Sequence, residues 1–419
     1  MRYNGISAPL PAAAGVICEF NPFHNGHKRL LSAMREAVGE DGCVVCVMSG
    51  LFVQRGTPAV ADPYVRAAAA LAGGADLVVG LPFPWSAGSA EAFAAAGVGI
   101  LDRMGVGTLA FGSECADTAL LAEAAAVIGT PDFVSDCAAR VTGGAGAAAA
   151  WAEALRARLR APLPDGFPGA NDRLAVNYLA ALSRQGGGMR PLTVRRAGQA
   201  YRDDVLTDAS APSASALRVL LREAACVPGA LSAMLDGTMP DAALRVLLEA
   251  VRDGGAPCRE DALLPLFHGL FRLGDADVFD RIAELSGGLA RRMVRAALDT
   301  GTPDAFWDAL HSRLYTDARL RRGMLYAAAG VGPDDLRADP AYVVLYGADA
   351  RGCAYLKALD KARRADPDGG IVSVVTKPAD APACRQTELA RRAEALFTLC
   401  RPTPCEAGAL MKKTPVILL

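Results

Sequence analysis

Two of the chain's four histidines, His24 and His27, stand three residues apart in the run His24-Asn25-Gly26-His27. Three residues is close to one helical turn, so both imidazoles can address one ligand if a helix begins here. The run is preceded by Glu19-Phe20-Asn21-Pro22-Phe23 and followed by Lys28-Arg29-Leu30. A helix start offers unpaired N–H groups and partial positive charge, and Gly26 permits close approach of the backbone. The chemistry implied is the binding of a nucleoside triphosphate, with imidazole N–H groups facing its phosphates.

The flanking elements fit that placement. Gly15-Val16-Ile17-Cys18 is an apolar run that reads as a buried strand, Asn21-Pro22 as a turn, and Lys28 to Glu36 as a helix. The alternation continues. Val44–Met48 is a second strand ending in Ser49-Gly50, and a helix runs from Pro63 to about Ala72. Asp76–Pro82 is a third strand, Ala90–Met104 a helix, and Thr108–Phe111 a fourth strand opening into Gly112-Ser113-Glu114. Continuous apolar strands between helices predict a parallel sheet covered on both faces, a Rossmann-like α/β core. Ligands of such sheets bind beyond the carboxyl ends of the strands, where His24, Ser49, Gly50 and Gly112 all fall. Asn171-Asp172 is expected to open a helix through Leu182, and Leu192–Arg196 to form a fifth strand with only one of Arg195 and Arg196 facing the site. Ser213 stands in N-cap position before another helix, with Ser215 and Arg218 on its first turns.

Beyond this core the pattern changes. Residues 132–170 are Ala/Gly-rich, with one helical stretch near 147–159. Residues 228–330 carry no strand signal; Ala242–Val251, Ala262–Leu270, Arg281–Leu298 and Ala318–Ala329 have helical apolar spacing. Two arginine clusters lie there, Arg291-Arg292-Arg295 and Arg319-Arg321-Arg322. Solvated surface arginine and RNA contact are both open readings of them. The tail predicts a helix near 351–364, a strand at Ile371–Val375 and a helix from about 385 to 399. The expected division is a leader over 1–14, a nucleotide-binding catalytic domain over 15–225, a helical domain over 226–340, and a small α/β appendage over 341–419.

At 419 residues the chain is long enough for two or three cores. Its net charge of −1 gives no global electrostatic footprint, so nucleic acid would need a local patch. The eleven cysteines are scattered in apolar surroundings, and Cys43-Val44-Val45-Cys46 lacks the partners of a zinc set. Buried thiols of a reducing, cytoplasmic compartment are the expectation. No apolar run approaches the ~20 residues of a membrane span, and no signal-peptide pattern opens the chain. No acidic cluster suggests a metal site, so magnesium is expected to arrive with a nucleotide.

His-x-Gly-His after a first strand, with Ser213-x-Ser215-x-x-Arg218 at a late helix start, resembles the nucleotidylyltransferase superfamily. The run Glu19–His27 is more specific, as are Met48-Ser-Gly-Leu-Phe-Val-Gln-Arg-Gly-Thr-Pro-Ala59, Gly74–Val78, Phe111–Glu114 and Arg196–Tyr201. Together they are similar to the tRNA(Met) cytidine acetate ligase family, strongly over about 15–220 and more faintly through Tyr315–Arg322 and Thr376–Leu399. The resemblance implies activation of acetate by ATP as acetyl-AMP, then transfer to the wobble cytidine of elongator tRNA(Met) to give N4-acetylcytidine. The implied partners are acetate and that tRNA, with neither membrane nor DNA. The ATP site implied by motif is Ile17, Cys18, Glu19, Phe20, Asn21, Pro22, Phe23, His24, Asn25, Gly26, His27, Lys28, Arg29 and Leu30, with Gly112, Asn171 and Arg196. His24 and His27 are the catalytic candidates. Ser49, Gly50, Gln54, Arg55, Ser213, Ser215 and Arg218 form a second tier. Three positions depart from the family's usual pattern: Pro63 in place of lysine, Gly80 in place of glutamate, and Asp172 in place of a second asparagine. The alternatives are a nucleotidylyltransferase acting on a phosphorylated metabolite, and an RNA-binding homologue that has lost catalysis.

Overall fold

The computed structural model describes residues 10–160, 162–196, 209–210, 212–224, 228–312 and 314–418. The first apolar run is β1 (Ala13–Cys18), buried along its length, so Ala13 and Ala14 of the expected leader already belong to the sheet. Phe20 then adopts a φ of 45°, uncommon for a non-glycine residue, and the chain turns into α1 (Asn25–Val38). There follow β2 (Cys43–Ser49), α2 (Pro63–Ala72), β3 (Leu77–Leu81), α3 (Ala90–Arg103) and β4 (Thr108–Ser113). Next come α4 (Thr118–Ile128), α5 (Pro131–Thr142), α6 (Ala147–Arg156), α7 (Ala170–Gln185) and β5 (Arg190–Arg195). The sequence reading missed α4 and α5; α5 buries only Phe133, too little apolar surface to set a clear period.

The five strands lie in the order β5-β4-β1-β2-β3, and every neighbouring pair is parallel. From β1 the chain proceeds outward to β2 and β3, then crosses back to place β4 on the other side of β1. The order therefore reverses between β1 and β4, which opens a crevice beyond their carboxyl ends. Strand alternation divides the core. Val45 and Val47 pack with Phe93 and Val98 of α3 and Tyr178 of α7. Val44, Cys46 and Met48 pack with Leu31 and Met34 of α1 and Ala67 of α2.

A helical layer comes next: α8 (Ala214–Ala224), α9 (Pro228–Leu235), α10 (Asp241–Arg252), α11 (Leu264–Leu273), α12 (Ala276–Phe279), α13 (Leu289–Asp299), α14 (Pro303–Leu310) and α15 (Asp317–Ala329). The helix expected from Arg281 begins only at Leu289, because Glu284, Gly287 and Gly288 all take positive φ. Helices α11, α13, α14 and α15 close a second core around Phe271, Met293, Phe306 and Tyr326.

The tail is not an appendage. After α16 (Pro333–Arg337), β6 (Tyr342–Asp349) pairs antiparallel with β3, extending the main sheet. Helix α17 (Ala350–Ala365) packs Tyr355 and Leu359 into the sheet core, β7 (Ser373–Val375) and β8 (Val416–Leu418) both pair with β6, and α18 (Arg385–Thr398) sends Leu389 and Phe397 into the helical core. Strand β6 is not among the elements expected from the sequence, although Tyr342–Tyr346 is rich in β-prone residues.

Two departures from the family pattern have a structural account. A Cβ on Gly80 would lie 2.7 Å from the Tyr346 hydroxyl, so the side chain of β6 occupies the space a larger residue would need. Pro63 is the first residue of α2, capped by Asp62 through Tyr64 N (2.9 Å) and Val65 N (3.2 Å), and Lys413 brings an ammonium 2.9 Å from the other Asp62 oxygen. Gly80→Ala is therefore expected to cost about 1–3 kcal/mol in urea unfolding, by overpacking. Tyr346→Leu in the same chain is expected to recover part of it.

Candidate active site

A cavity of about 310 Å³ opens at the crevice, lined by the end of β1, the start of α1, the end of β4 and residues of α7, α8 and α15. Its centre is the α1 N-terminus. His24 is the N-cap, and its Nδ1 accepts the Gly26 N–H at 3.0 Å; the Nδ1 of His27 accepts the His24 N–H at 3.2 Å. The two imidazoles thus form a reciprocal capping box, with ring centroids 3.8 Å apart. Because each Nδ1 is an acceptor, each neutral ring carries its proton on Nε2. Both rings are held as N–H donors beside a cavity with further donors at the helix start.

Electrostatics keep those rings neutral. The His24 pKa falls from 6.5 to about 3, first through burial and then through the charges of Arg196, Arg29 and Arg218. His27 is lowered well below the ordinary value by burial, then by His24 and Arg196. Three guanidinium groups therefore converge on His24, a field suited to a polyanion. A stability consequence follows. A histidine with a lowered folded pKa takes up protons more readily when unfolded, so its contribution is complete above pH 6.5 and is lost as pH falls toward 3. Between pH 7 and pH 5, His24 alone is expected to cost about 2 kcal/mol of unfolding free energy. Urea titrations at the two pH values check this, and His24→Asn, which keeps an acceptor for Gly26 N–H, should lessen the difference and leave the share owed to His27.

Three loops frame the histidines. Glu19 Oε1 accepts the Gln54 N–H at 2.9 Å, and Asn21 Oδ1 accepts the Val60 N–H at 2.6 Å, tying the β2–α2 loop to the site. Opposite, Asp172 is buried. Its Oδ1 accepts from Ser113 Oγ (2.6 Å), Glu114 N (2.9 Å) and Cys115 N (3.2 Å), and its Oδ2 from Gly169 N (3.0 Å). Glu114 returns the favour, accepting from Asn171 N (3.1 Å), Asn171 Nδ2 (2.6 Å) and Asp172 N (2.9 Å). Gly169, not Asn171, is the N-cap of α7, and Asn171 is fixed by Glu114 at the cavity wall. The aspartate at position 172 is well suited to a clasp made only of donors. On the third side, Arg218 donates to Asn21 O at 2.9 Å and to Ser215 Oγ at 3.2 Å.

Of the residues singled out from sequence, Ile17, Cys18, Glu19, Phe20, Asn21, His24, Gly26, His27, Arg29 and Leu30 line the cavity. Gly112, Asn171, Arg196, Gln54, Arg55, Ser215 and Arg218 line it too. The remainder sit elsewhere for identifiable reasons. Pro22 and Phe23 are buried under the turn, and Lys28 is exposed. Asn25 is bonded to Gly237 O (2.7 Å) and Thr238 O (3.0 Å), and Ser213 caps α8 through Ala216 N. The carbonyls of Ser49 and Gly50 turn to the buried Arg66 guanidinium rather than to the crevice. Arg195 and Arg196 both border the cavity, because β5 ends at Arg195 and strand alternation ends with it; Arg195 donates to the carbonyls of Glu114 and Cys115. Residues 197–201 of the Arg196–Tyr201 motif lie outside the described residues.

Sequence reasoning did not assign to the site the apolar wall, Phe93, Phe111, Leu174 and Tyr178, or the charged side formed by Arg222, Glu260 and Arg321; Phe111 and Arg321 entered it only within a motif and an arginine cluster. Arg222 stands one turn after Arg218 and could have been found from that spacing; Glu260 carried no signal. Among the described residues no group of three His, Cys, Asp or Glu side chains is placed to hold a metal ion. The carboxylates nearest the cavity are engaged in the clasps above, and Glu260 pairs with Arg218 (3.7 Å) and Arg222 (3.3 Å). All ten described cysteines are free thiols, and no described helix is long and apolar enough to cross a membrane.

The family model described as HIGH Nucleotidyl Transferase matches residues 12–409. The tRNA(Met) cytidine acetate ligase of Syntrophotalea carbinolica is 36% identical over 367 residues, covering 84% of this chain and 83% of the relative. That of Acetivibrio thermocellus is 31% identical over 415 residues, covering 97% and 99%. Among solved structures, Thermotoga maritima TmcAL bound with alpha-thio ATP superposes with a TM-score of 0.81 at 25% identity, covering 97% of this chain and 99% of that one.

Proposed function

Since the chain belongs to the tRNA(Met) cytidine acetate ligase family of HIGH nucleotidyl transferases, we propose that it activates acetate with ATP and transfers the acetyl group to the wobble cytidine of elongator tRNA(Met), in the cytoplasm. The observation that carries this reading is the imidazole capping box: two neutral rings with Nε2–H donors at a helix start, ringed by Arg29, Arg196 and Arg218.

In this reading adenosine lies against Phe111, Leu174 and Tyr178, with Asn171 beside it, and the triphosphate runs over the α1 N-terminus. An acetate oxygen attacks the α-phosphorus as the bond to pyrophosphate breaks. Negative charge grows on the α-phosphate oxygens, where donors already fixed in place cost no reorganisation. Arg196 and Arg218 neutralise the leaving pyrophosphate. The cytidine amine then attacks the carbonyl carbon of acetyl-AMP, AMP departs and the nitrogen loses a proton. No enzyme nucleophile is required, since the mixed anhydride is already activated; proximity does the work. Among the described residues the carboxylates bordering the cavity accept from N–H donors or pair with arginine, so a magnesium ion would be held by the phosphates of ATP rather than by this chain.

Exchange of labelled pyrophosphate into ATP tests the first step. It is expected with acetate alone and no RNA. Exchange that instead requires a phosphorylated metabolite would make the chain a nucleotidylyltransferase of another kind.

A further inference from the structure

The six arginines of the two clusters are not equivalent. Arg292 spends its guanidinium on the carbonyls of Ala309, Leu310 and His311 at 3.1–3.2 Å. Arg319 and Arg322 pair with Glu284 at 3.6 and 3.0 Å, and Arg291 and Arg295 form exposed pairs with Asp277 and Asp299, both at 3.4 Å. Arg321 alone of the six borders the catalytic cavity. Among the described residues its guanidinium has no hydrogen bond or ion pair. Its partner is the ring of Trp307 on α14, over which its guanidinium lies 5.0 Å from the centroid.

Its position is fixed from the catalytic side. Gly56 takes a φ of 75° and packs so closely on α15 that a Cβ there would lie 2.7 Å from Arg322 N. The same loop is held to Glu19 through Gln54 N. The first turns of α15 are thus clamped to the end of β1, and a cation backed by an indole face is held at the edge of the crevice.

An uncommitted guanidinium over an aromatic ring is a surface on which an unstacked nucleobase can lie, with the charge answering the adjacent phosphates. We infer that Arg321 and Trp307 form the platform that receives the single-stranded nucleotide carrying the accepting amine, at the mouth of the ATP cavity. This rests on the function proposed above and assigns the side from which RNA enters it. The base approaches from α14–α15 and the nucleotide triphosphate lies along α1, so the amine meets acetyl-AMP between the two.

The test uses the full chain and an anticodon stem-loop RNA. Binding is followed by filter retention of the labelled stem-loop, stacking on Trp307 by quenching of tryptophan fluorescence, and transfer by incorporation of labelled acetate. Arg321→Ala and Trp307→Ala are each expected to weaken stem-loop binding and lower transfer kcat/KM at least tenfold, while pyrophosphate exchange falls less than threefold. Trp307→Phe should keep most of the binding and lose the quenching. Arg321→Ala should also lessen the steepness with which binding falls with salt. Equal losses in exchange and transfer would overturn the inference by placing Arg321 on the ATP phosphates. Unchanged binding in both alanine variants would also overturn it. Should the wild-type chain show no acetate-dependent exchange, the proposed function falls, and the binding comparison still decides the platform.

Discussion

His27→Ala is expected to lower acetate-dependent pyrophosphate exchange by at least a thousandfold while leaving the fold in place. The loss has two parts. One Nε2–H donor disappears from the reacting phosphate, which alone is worth about 10²–10³ in rate. The His24 N–H also loses its acceptor, so the capping box opens and the second imbalance falls on His24, whose ring packs 3.8 Å from that of His27. His27→Asn, which can restore an acceptor for His24 N–H without supplying the imidazole donor, separates the parts: it should recover thermal stability and little exchange. Measuring exchange and melting in both variants checks the assignment. Substantial exchange in His27→Ala would remove His27 from the chemistry.

Arg66 carries the second large effect, on stability. It is 2% exposed, and its guanidinium bonds only to carbonyls: Glu19 O at 2.6 Å, Ser49 O at 2.9 Å, Ala61 O at 3.0 Å, and Gly50 O. Burial pulls its pKa down from the usual arginine range, and among the described residues no carboxylate contacts it directly to offset that cost. What it contributes is geometry. One planar fork collects the ends of β1 and β2 and the residue before the α2 cap, and so sets where Glu19 leaves the sheet. Arg66→Ala strips donors from these carbonyls and leaves a void, an expected loss of about 4 kcal/mol or more. Arg66→Lys should recover little, because an ammonium cannot reproduce the fork. Urea unfolding of both variants measures this; full stability in Arg66→Lys would contradict the clamp.

Much of the core was legible because its signals are local. The apolar runs of β1 to β4, the alternation with helices and the Asn21-Pro22 turn are properties of neighbouring residues, and they place His24, His27 and Gly112 at one sheet edge. Contacts across long separations were not legible. Nothing near Gly80 announces that Tyr346 fills its space, and nothing near Asp62 announces Lys413. The run Tyr342-Val343-Val344-Leu345-Tyr346 is rich in β-prone residues and could have been read as a strand; that it pairs with the edge of β3 is a property of the assembled fold. The same limit applies to the arginine clusters. Composition marks six similar cations, and only the packing of α13, α14 and α15 shows that three hold the helical layer together and that Arg321 borders the cavity. In the other direction, nothing near Glu114 or Asp172 announces their joint clasp, which fixes Asn171 at the cavity wall.

One measurement addresses the central claim directly. The purified chain is incubated with ATP, labelled acetate and total tRNA, and the RNA is digested to nucleosides. Label is expected in N4-acetylcytidine derived from tRNA(Met), in amounts that require ATP, acetate and intact His27 together. RNA that binds the protein yet carries no label, under conditions where ATP and acetate are both present, would contradict the account.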